Sequence, residues 1–152
     1  MVLKKYSMIN EFKDQYRFLS NFYWSPIFYQ EKLYPTAEHL FQALKTKDKK
    51  ERDKIRIART PGIAKKIGQT VSLKKDWEKI KDKLMYMIVR LKFLQNTELK
   101  LSLFNTKDST LIEGNYWHDN YWGGCFCSKC KLIQGKNQLG KILMRIREKN
   151  NL

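Results

Sequence analysis

The chain has 152 residues, 42% of them hydrophobic, and 31 Lys and Arg against 15 Asp and Glu give a formal net charge of +16. That length suits one folded domain with a real core, and no stretch is long and apolar enough to span a bilayer. Such a charge either serves solubility alone or draws polyanions, nucleic acid or phosphorylated metabolites before a membrane, because no basic amphipathic segment stands apart from the globular pattern.

Residues 1–5 lack an apolar signal core, so the expected location is cytoplasmic, with the three cysteines reduced or metal-bound and not paired in disulfides. Residues 1–34 read as short strands and turns. A first strand is expected over 6–9, and residues 18–23 are aromatic and too irregular for a helix. Residues 27–29 and 32–34 flank Gln30 and Glu31 as a hairpin whose turn lacks the usual Gly or Asn, and Pro26 suits the beginning of a strand. Phe18, Phe22, Tyr23, Trp24, Phe28 and Tyr29 are more aromatic surface than a small hairpin buries. Either some of these rings line a pocket and stack on a flat ligand, or all serve the core.

Next comes the stretch around which the chain is read. Pro35 imposes an extended entry, Thr36 is an N-cap, and a helix is predicted to about Lys47. On it Glu38, Gln42 and Lys45 share one stripe, while Ala37, Leu40 and Leu44 share the opposite, core-facing one. The polar stripe is either a solvated face or a site. A carboxylate there can exchange a proton, and an amine of lowered pKa can attack a carbonyl or a sugar C1. Residues 45–75 hold 12 Lys or Arg and 3 Asp or Glu, a net of +9, the expected seat of phosphates. Helices are predicted over 49–59 and, capped by Thr60 with Pro61 at its first position, up to Gly68.

Residues 73–95 give the clearest periodicity, with Trp77, Ile80, Leu84, Met87, Leu91 and Leu94 as the apolar stripe and Ser72 as cap. Thr97 can cap a further helix to about 105, with Leu99, Leu103 and Phe104 inward. Residues 108–135 are irregular, with a short strand over 110–113. The loop over 114–124 packs two Trp, two Tyr and Asp119 into few residues, a density that points to a ligand. Cys125, Cys127 and Cys130 follow at metal-ligand spacing, and His118 can supply a fourth ligand. The alternatives are a structural zinc or free thiols. A closing helix is predicted over 138–149, burying Leu139, Ile142, Leu143 and Ile146, with Lys141, Arg145, Arg147 and Lys149 as its cations.

These pieces together resemble the NADAR (YbiA-like) family. The matching stretches are 18–23, 35–45, 61–68, 76–77, 92–96, 119–123 and 135–147, in the family's order through nearly the whole chain. The resemblance implies an α+β, mainly α-helical, single compact domain with a small N-terminal β element. It also implies an N-glycosidase that cleaves a base–ribose bond and requires no cofactor. The family's described substrates include phosphorylated riboflavin-biosynthesis intermediates and ADP-ribose attached to guanine in DNA or RNA. Glu38, Lys45 and Asp119 are the implied catalytic residues. Asn21, Phe22, Tyr23, Gln42, Trp77, Tyr121, Trp122, Gly123 and Asn137 are the implied substrate-binding set. A Schiff base between Lys45 and opened ribose is the mechanism proposed for the ADP-ribose-removing members, and Lys47, Lys49 and Lys50 are the cations expected to depress that amine's pKa. The cysteine run departs from the Gly-rich loop of many relatives, so a metal there would brace the loop and stand outside the family chemistry. A non-catalytic ADP-ribose or nucleic-acid binding module is the alternative of another class. Oligomeric state is not legible.

Overall fold

The structure, a computed structural model, describes residues 7–149; Tyr6 of the predicted first strand lies outside them. The fold is α+β and mainly helical, and it resolves into two compact units. One comprises the chain up to Ser20 together with Glu98 onward, and the other is Asn21–Thr97.

In the Asn21–Thr97 unit, β2 (Ile27–Tyr29) and β3 (Lys32–Tyr34) form the expected antiparallel hairpin, with Ile27 opposite Tyr34. Gln30 and Glu31 both adopt left-handed φ, 47° and 62°. That is the conformation whose twist matches the flanking strands, reached here without Gly or Asn. Thr36 then caps α1 (Ala37–Ala43), its side chain accepting from the His39 amide. The helix stops short of the predicted Lys47. The Leu44 amide reaches both Leu40 and Gln42 carbonyls, and Thr46 leaves to make an isolated antiparallel bridge with Leu73. All of α1 is buried, because α2 (Lys49–Arg56), α3 (Pro61–Gly68) and α4 (Trp77–Gln95) pack around it. A solvated polar stripe on this helix is therefore overturned.

The cap of α3 is as predicted: Thr60 accepts from the Ile63 amide and Pro61 opens the helix. The helix over 49–59 ends earlier, at Arg56, with Asp48 capping it through the Glu51 amide. The helix predicted over 73–95 begins later, at Trp77. Ser72 is not its cap, because its amide donates to the Glu51 carboxylate at 3.1 Å. The buried stripe of α4 is Trp77, Met85, Ile88, Val89, Lys92 and Phe93. Of the predicted stripe beyond Trp77, Ile80, Leu84, Met87 and Leu91 are half-buried and Leu94 is exposed. Two stripes compete on this helix, and the packing partners select the one that carries a lysine.

In the other unit β1 (Met8–Ile9) pairs in parallel with β4 (Thr110–Leu111). A 3-10 turn over Asp14–Leu19 buries Phe18 and Leu19, regular structure where the sequence promised none. Helix α5 (Thr97–Asn105) buries Leu103 fully and Leu99 and Phe104 in part. Strands β5 (Gly114–Asn115) and β6 (Gly124–Cys125) pair in parallel around the aromatic loop. Helix α6 (Gln138–Glu148) packs on β4 and buries Leu139, Leu143 and Ile146. Arg147, expected as one of this helix's cations, is buried and donates to the Thr106 hydroxyl at 2.9 Å and the Ser109 carbonyl at 2.8 Å. Among the described residues no helix is long and apolar enough to cross a membrane.

Candidate active site

The Asn21–Thr97 unit gathers Asn21, Phe22, Tyr23, Glu38, Gln42, Lys45 and Trp77 of the expected site. Glu38 is only 6% exposed and Gln42 only 3%, so the helix spacing that aligns them places both in the interior. The Gln42 amide donates to Glu38 Oε1 at 2.6 Å, fixing the carboxylate's orientation. The Glu38 backbone amide donates to the Asn21 carbonyl at 3.0 Å, which pins residue 21 to the first turn of α1. Asn21 itself donates to Met85 Sδ at 3.3 Å, and its Oδ1 is buried without a hydrogen-bond partner. An unmet buried acceptor costs about 1–3 kcal/mol. Gln42 Oε1 is likewise unpartnered, but it lies against the Cα of Gly68, where an added Cβ would come within 2.0 Å of it.

Lys45 stands just past the end of α1, half-buried. Its ammonium lies 6.0 Å from the ring centres of both Phe41 and Trp77. Those two rings stand 5.1 Å apart and tilted. Burial pushes the Lys45 pKa below the ordinary 10.5; attraction to the Glu38 carboxylate opposes this and repulsion from Lys65 reinforces it. The depressing cation thus comes from α3 and is not Lys47, Lys49 or Lys50. A larger neutral fraction makes this amine a better nucleophile.

Sequence reasoning did not single out Lys65 or Lys92, and it named Gly68 only as a helix C-cap, a place that Gln69 takes because Gly68 is still helical. Lys65 places its ammonium 5.9 Å from the ring centre of Phe22, which is 43% exposed. Lys92 is 1% exposed, with its ammonium 5.9 Å from the Tyr23 ring and 5.2 Å from that of Phe93. A buried lysine is rare without a partner or a task. All three lie in stretches that carry the family resemblance, and this was the one signal able to find them. Part of the basic stretch opens a cleft of about 400 Å³ lined by Thr46, Lys47, Asp48, Ser72, Leu73, Lys74, Lys75 and Asp76, three lysines set against two aspartates. It adjoins Lys45, whose carbonyl accepts from the Lys74 amide at 2.8 Å.

The other unit holds Asp119, Tyr121, Trp122, Gly123 and Asn137. Asp119 Oδ1 accepts from the amides of Tyr121 at 3.0 Å and Trp122 at 2.9 Å. Asn115 clamps its backbone, accepting from the Asp119 amide and donating to its carbonyl. One carboxylate oxygen of Asp119 therefore shapes the turn. The Tyr121 and Trp122 rings meet edge to face, 5.0 Å apart, and the Lys136 ammonium lies 5.2 Å from the Tyr121 ring centre. The turn's carbonyls satisfy the first amides of α6: Tyr121 accepts from Gln138, and Trp122 from Leu139. Asn137, at φ 50°, spends both ends of its amide on backbone, accepting from Glu113 and donating to Leu111. Gly123 is required by crowding, since a Cβ would come within 2.0 Å of the Glu113 carbonyl oxygen.

In that unit His118 does join the cysteines. Its Nδ1 lies 3.3 Å from the sulfurs of Cys127 and Cys130 and 3.9 Å from that of Cys125. One ligand atom from each of the four residues lies within 4.8 Å of the others, a cluster able to hold a metal ion.

Comparison with known proteins agrees with this architecture. The NADAR domain model matches residues 8–150, running through both units. The N-glycosidase YbiA of Escherichia coli (strain K12) is 40% identical over 137 residues, 89% of this chain and 82% of that protein. The N-glycosidase Npun_R5314 of Nostoc punctiforme is 36% identical over 138 residues, 88% of this chain and 85% of that protein. The riboflavin biosynthesis protein VVA0006 of Vibrio vulnificus is 34% identical over 89% of this chain, which matches only 36% of its length. The NMR structure of Escherichia coli YbiA superposes with a TM-score of 0.83 at 37% identity, covering 97% of this chain and 87% of that one.

Proposed function

The chain belongs to the NADAR domain family, and from that premise we propose that it is an N-glycosidase whose reaction is carried by Glu38 and Lys45. The observation behind this is the buried Glu38 carboxylate, oriented by Gln42 at 2.6 Å, with the Lys45 amine made less basic by burial beside an aromatic pair. Breaking a base–ribose bond develops positive charge at C1, which a carboxylate stabilises, and the departing nitrogen needs a proton. The neutral Lys45 amine adds to C1 as the base leaves protonated. The ring oxygen then departs with a proton, leaving an imine. Water hydrolyses that imine, returning the amine and the free sugar. Lys47, Lys74 and Lys75 of the cleft next to Lys45, which Asp48 and Asp76 also line, are the seat we assign to the substrate's phosphates. No cofactor is needed for these steps.

The substrate we favour is ADP-ribose on guanine in DNA or RNA, because a net charge of +16 adds affinity for a polymer through counterion release. Incubation with an oligonucleotide bearing the adduct should release ADP-ribose. Glu38→Gln or Lys45→Ala should lower turnover by about 10²–10⁴-fold with the fold intact. Cyanoborohydride should trap the wild-type enzyme on its substrate and leave Lys45→Ala untrapped. Full activity in either variant removes that residue from the mechanism. The name of the Vibrio relative supports a second reading, hydrolysis of a phosphorylated riboflavin-pathway intermediate. Turnover confined to a free aminopyrimidine ribose phosphate would select it, and tight ADP-ribose binding without turnover of either substrate would leave a binding module.

A further inference from the structure

We infer that His118, Cys125, Cys127 and Cys130 form a structural zinc site that holds the tryptophan-bearing turn in shape. The inference is independent of the proposed reaction.

Zinc takes thiolate at about 2.3 Å and imidazole at about 2.0–2.1 Å in a tetrahedron, which sets ligand-to-ligand edges of roughly 3.5–3.8 Å. The imidazole-to-sulfur separations of 3.3, 3.3 and 3.9 Å bracket that edge. Two of those separations are shorter than the edge and one is longer, and with all four ligand atoms within 4.8 Å of one another modest shifts bring them onto one ion. Three thiolates and an imidazole select zinc over magnesium or calcium, which prefer oxygen. With all four positions taken by protein the site is closed, as structural sites are.

Further observations point the same way. His118 is a non-glycine residue at φ 68°, a backbone state that is unfavourable unless something compensates it. Here it accompanies a ring turned toward the sulfurs, and a metal bond would offset that cost. The segment also lacks an apolar core of its own. Tyr116, Trp117, Phe126, Leu132 and Ile133 are all exposed, Leu132 at 98%, while Cys125 and Cys130 are buried. A segment whose large apolar groups face outward needs a staple.

Asn120 links the cluster to the turn. Its amide donates to Cys130 Sγ at 3.3 Å, the outer-sphere bond that steadies a metal-bound thiolate, and its Oδ1 accepts from the Cys125 amide at 3.0 Å. Asn120 lies between Asp119 and Tyr121, so fixing the sulfurs fixes the turn that orients Trp122.

The test begins with wild-type protein purified without chelator. Elemental analysis should find about one zinc per chain. Chelation should lower the melting temperature, and zinc but not magnesium should restore it. Cobalt should replace zinc with the thiolate charge-transfer and strong visible bands of tetrahedral coordination. Cys127→Ser, at the least buried of the three sulfurs, should lose most of the metal. Chelated wild-type chain that takes up no zinc on dialysis against it would overturn the proposal. So would a disulfide between any two of the cysteines, or thiols that are alkylated at the free-cysteine rate in zinc-supplied protein.

Discussion

At the scale of single residues, Lys45 and Lys65 form a pair whose coupling can be read in a pH profile. Burial and Lys65 both hold the Lys45 pKa down, and Glu38 holds it up. Activity that needs the neutral amine therefore rises with pH along a limb placed below 10.5. Lys65→Ala removes a repulsion, raises the Lys45 pKa and moves that limb to higher pH. Each unit of movement is tenfold in neutral amine on the limb, with little change on the plateau. A limb that stays in place, measured as kcat against pH, would separate Lys65 from the Lys45 amine. His39 makes the corresponding statement about stability. It is fully buried, its ring bonded to the Thr36 hydroxyl at 2.8 Å and the Ala58 carbonyl at 3.0 Å. Burial depresses its pKa below 6.5, against the opposing Ala58 bond. The unfolded chain then binds the proton more readily, so stability is whole above 6.5 and is lost as pH falls through the depressed folded value. Melting curves should show that acid loss in wild type and a flatter profile in His39→Gln, itself less stable at neutral pH.

At the scale of elements, α1 is held by its neighbours, and its contact with α3 is the tightest point. Gly68→Ala would place a methyl 2.0 Å from Gln42 Oε1 and 3.0 Å from its Cβ. Gln42 is buried and tied to Glu38, so it cannot swing aside without giving up that bond. Overpacking of this kind costs about 1–3 kcal/mol. The unfolding free energy read from denaturant curves should fall by that amount, and turnover should fall further than stability alone explains because the carboxylate loses its orienting partner. Equal stability and turnover in Gly68→Ala would show that the helices slide apart freely.

At the scale of the whole molecule, the charge of +16 makes salt the diagnostic variable. Each phosphate neutralised on a single strand contributes a slope of about −0.7 in log affinity against log salt. An adduct-bearing oligonucleotide should therefore bind far more weakly as salt rises, while a free ribose-phosphate substrate should change little. Parallel slopes for the two substrates would assign the charge to solubility and remove the argument for a polymer.

Some features were legible from the chain because their causes lie within a turn or two of it. Thr36 and Thr60 cap because their hydroxyls reach amides three residues on, and the hairpin pairs because its strands flank a tight turn. That His118 joins the three cysteines was foreseeable from its closeness to them in sequence. The burial of Glu38 and Gln42, the stripe of α4 that carries Lys92 inside, and the approach of Lys65 to Lys45 were not legible. Each depends on which distant elements pack against a helix that has more than one apolar face. Helix periodicity alone names the candidate faces of such a helix, and only its neighbours choose which of them leaves water.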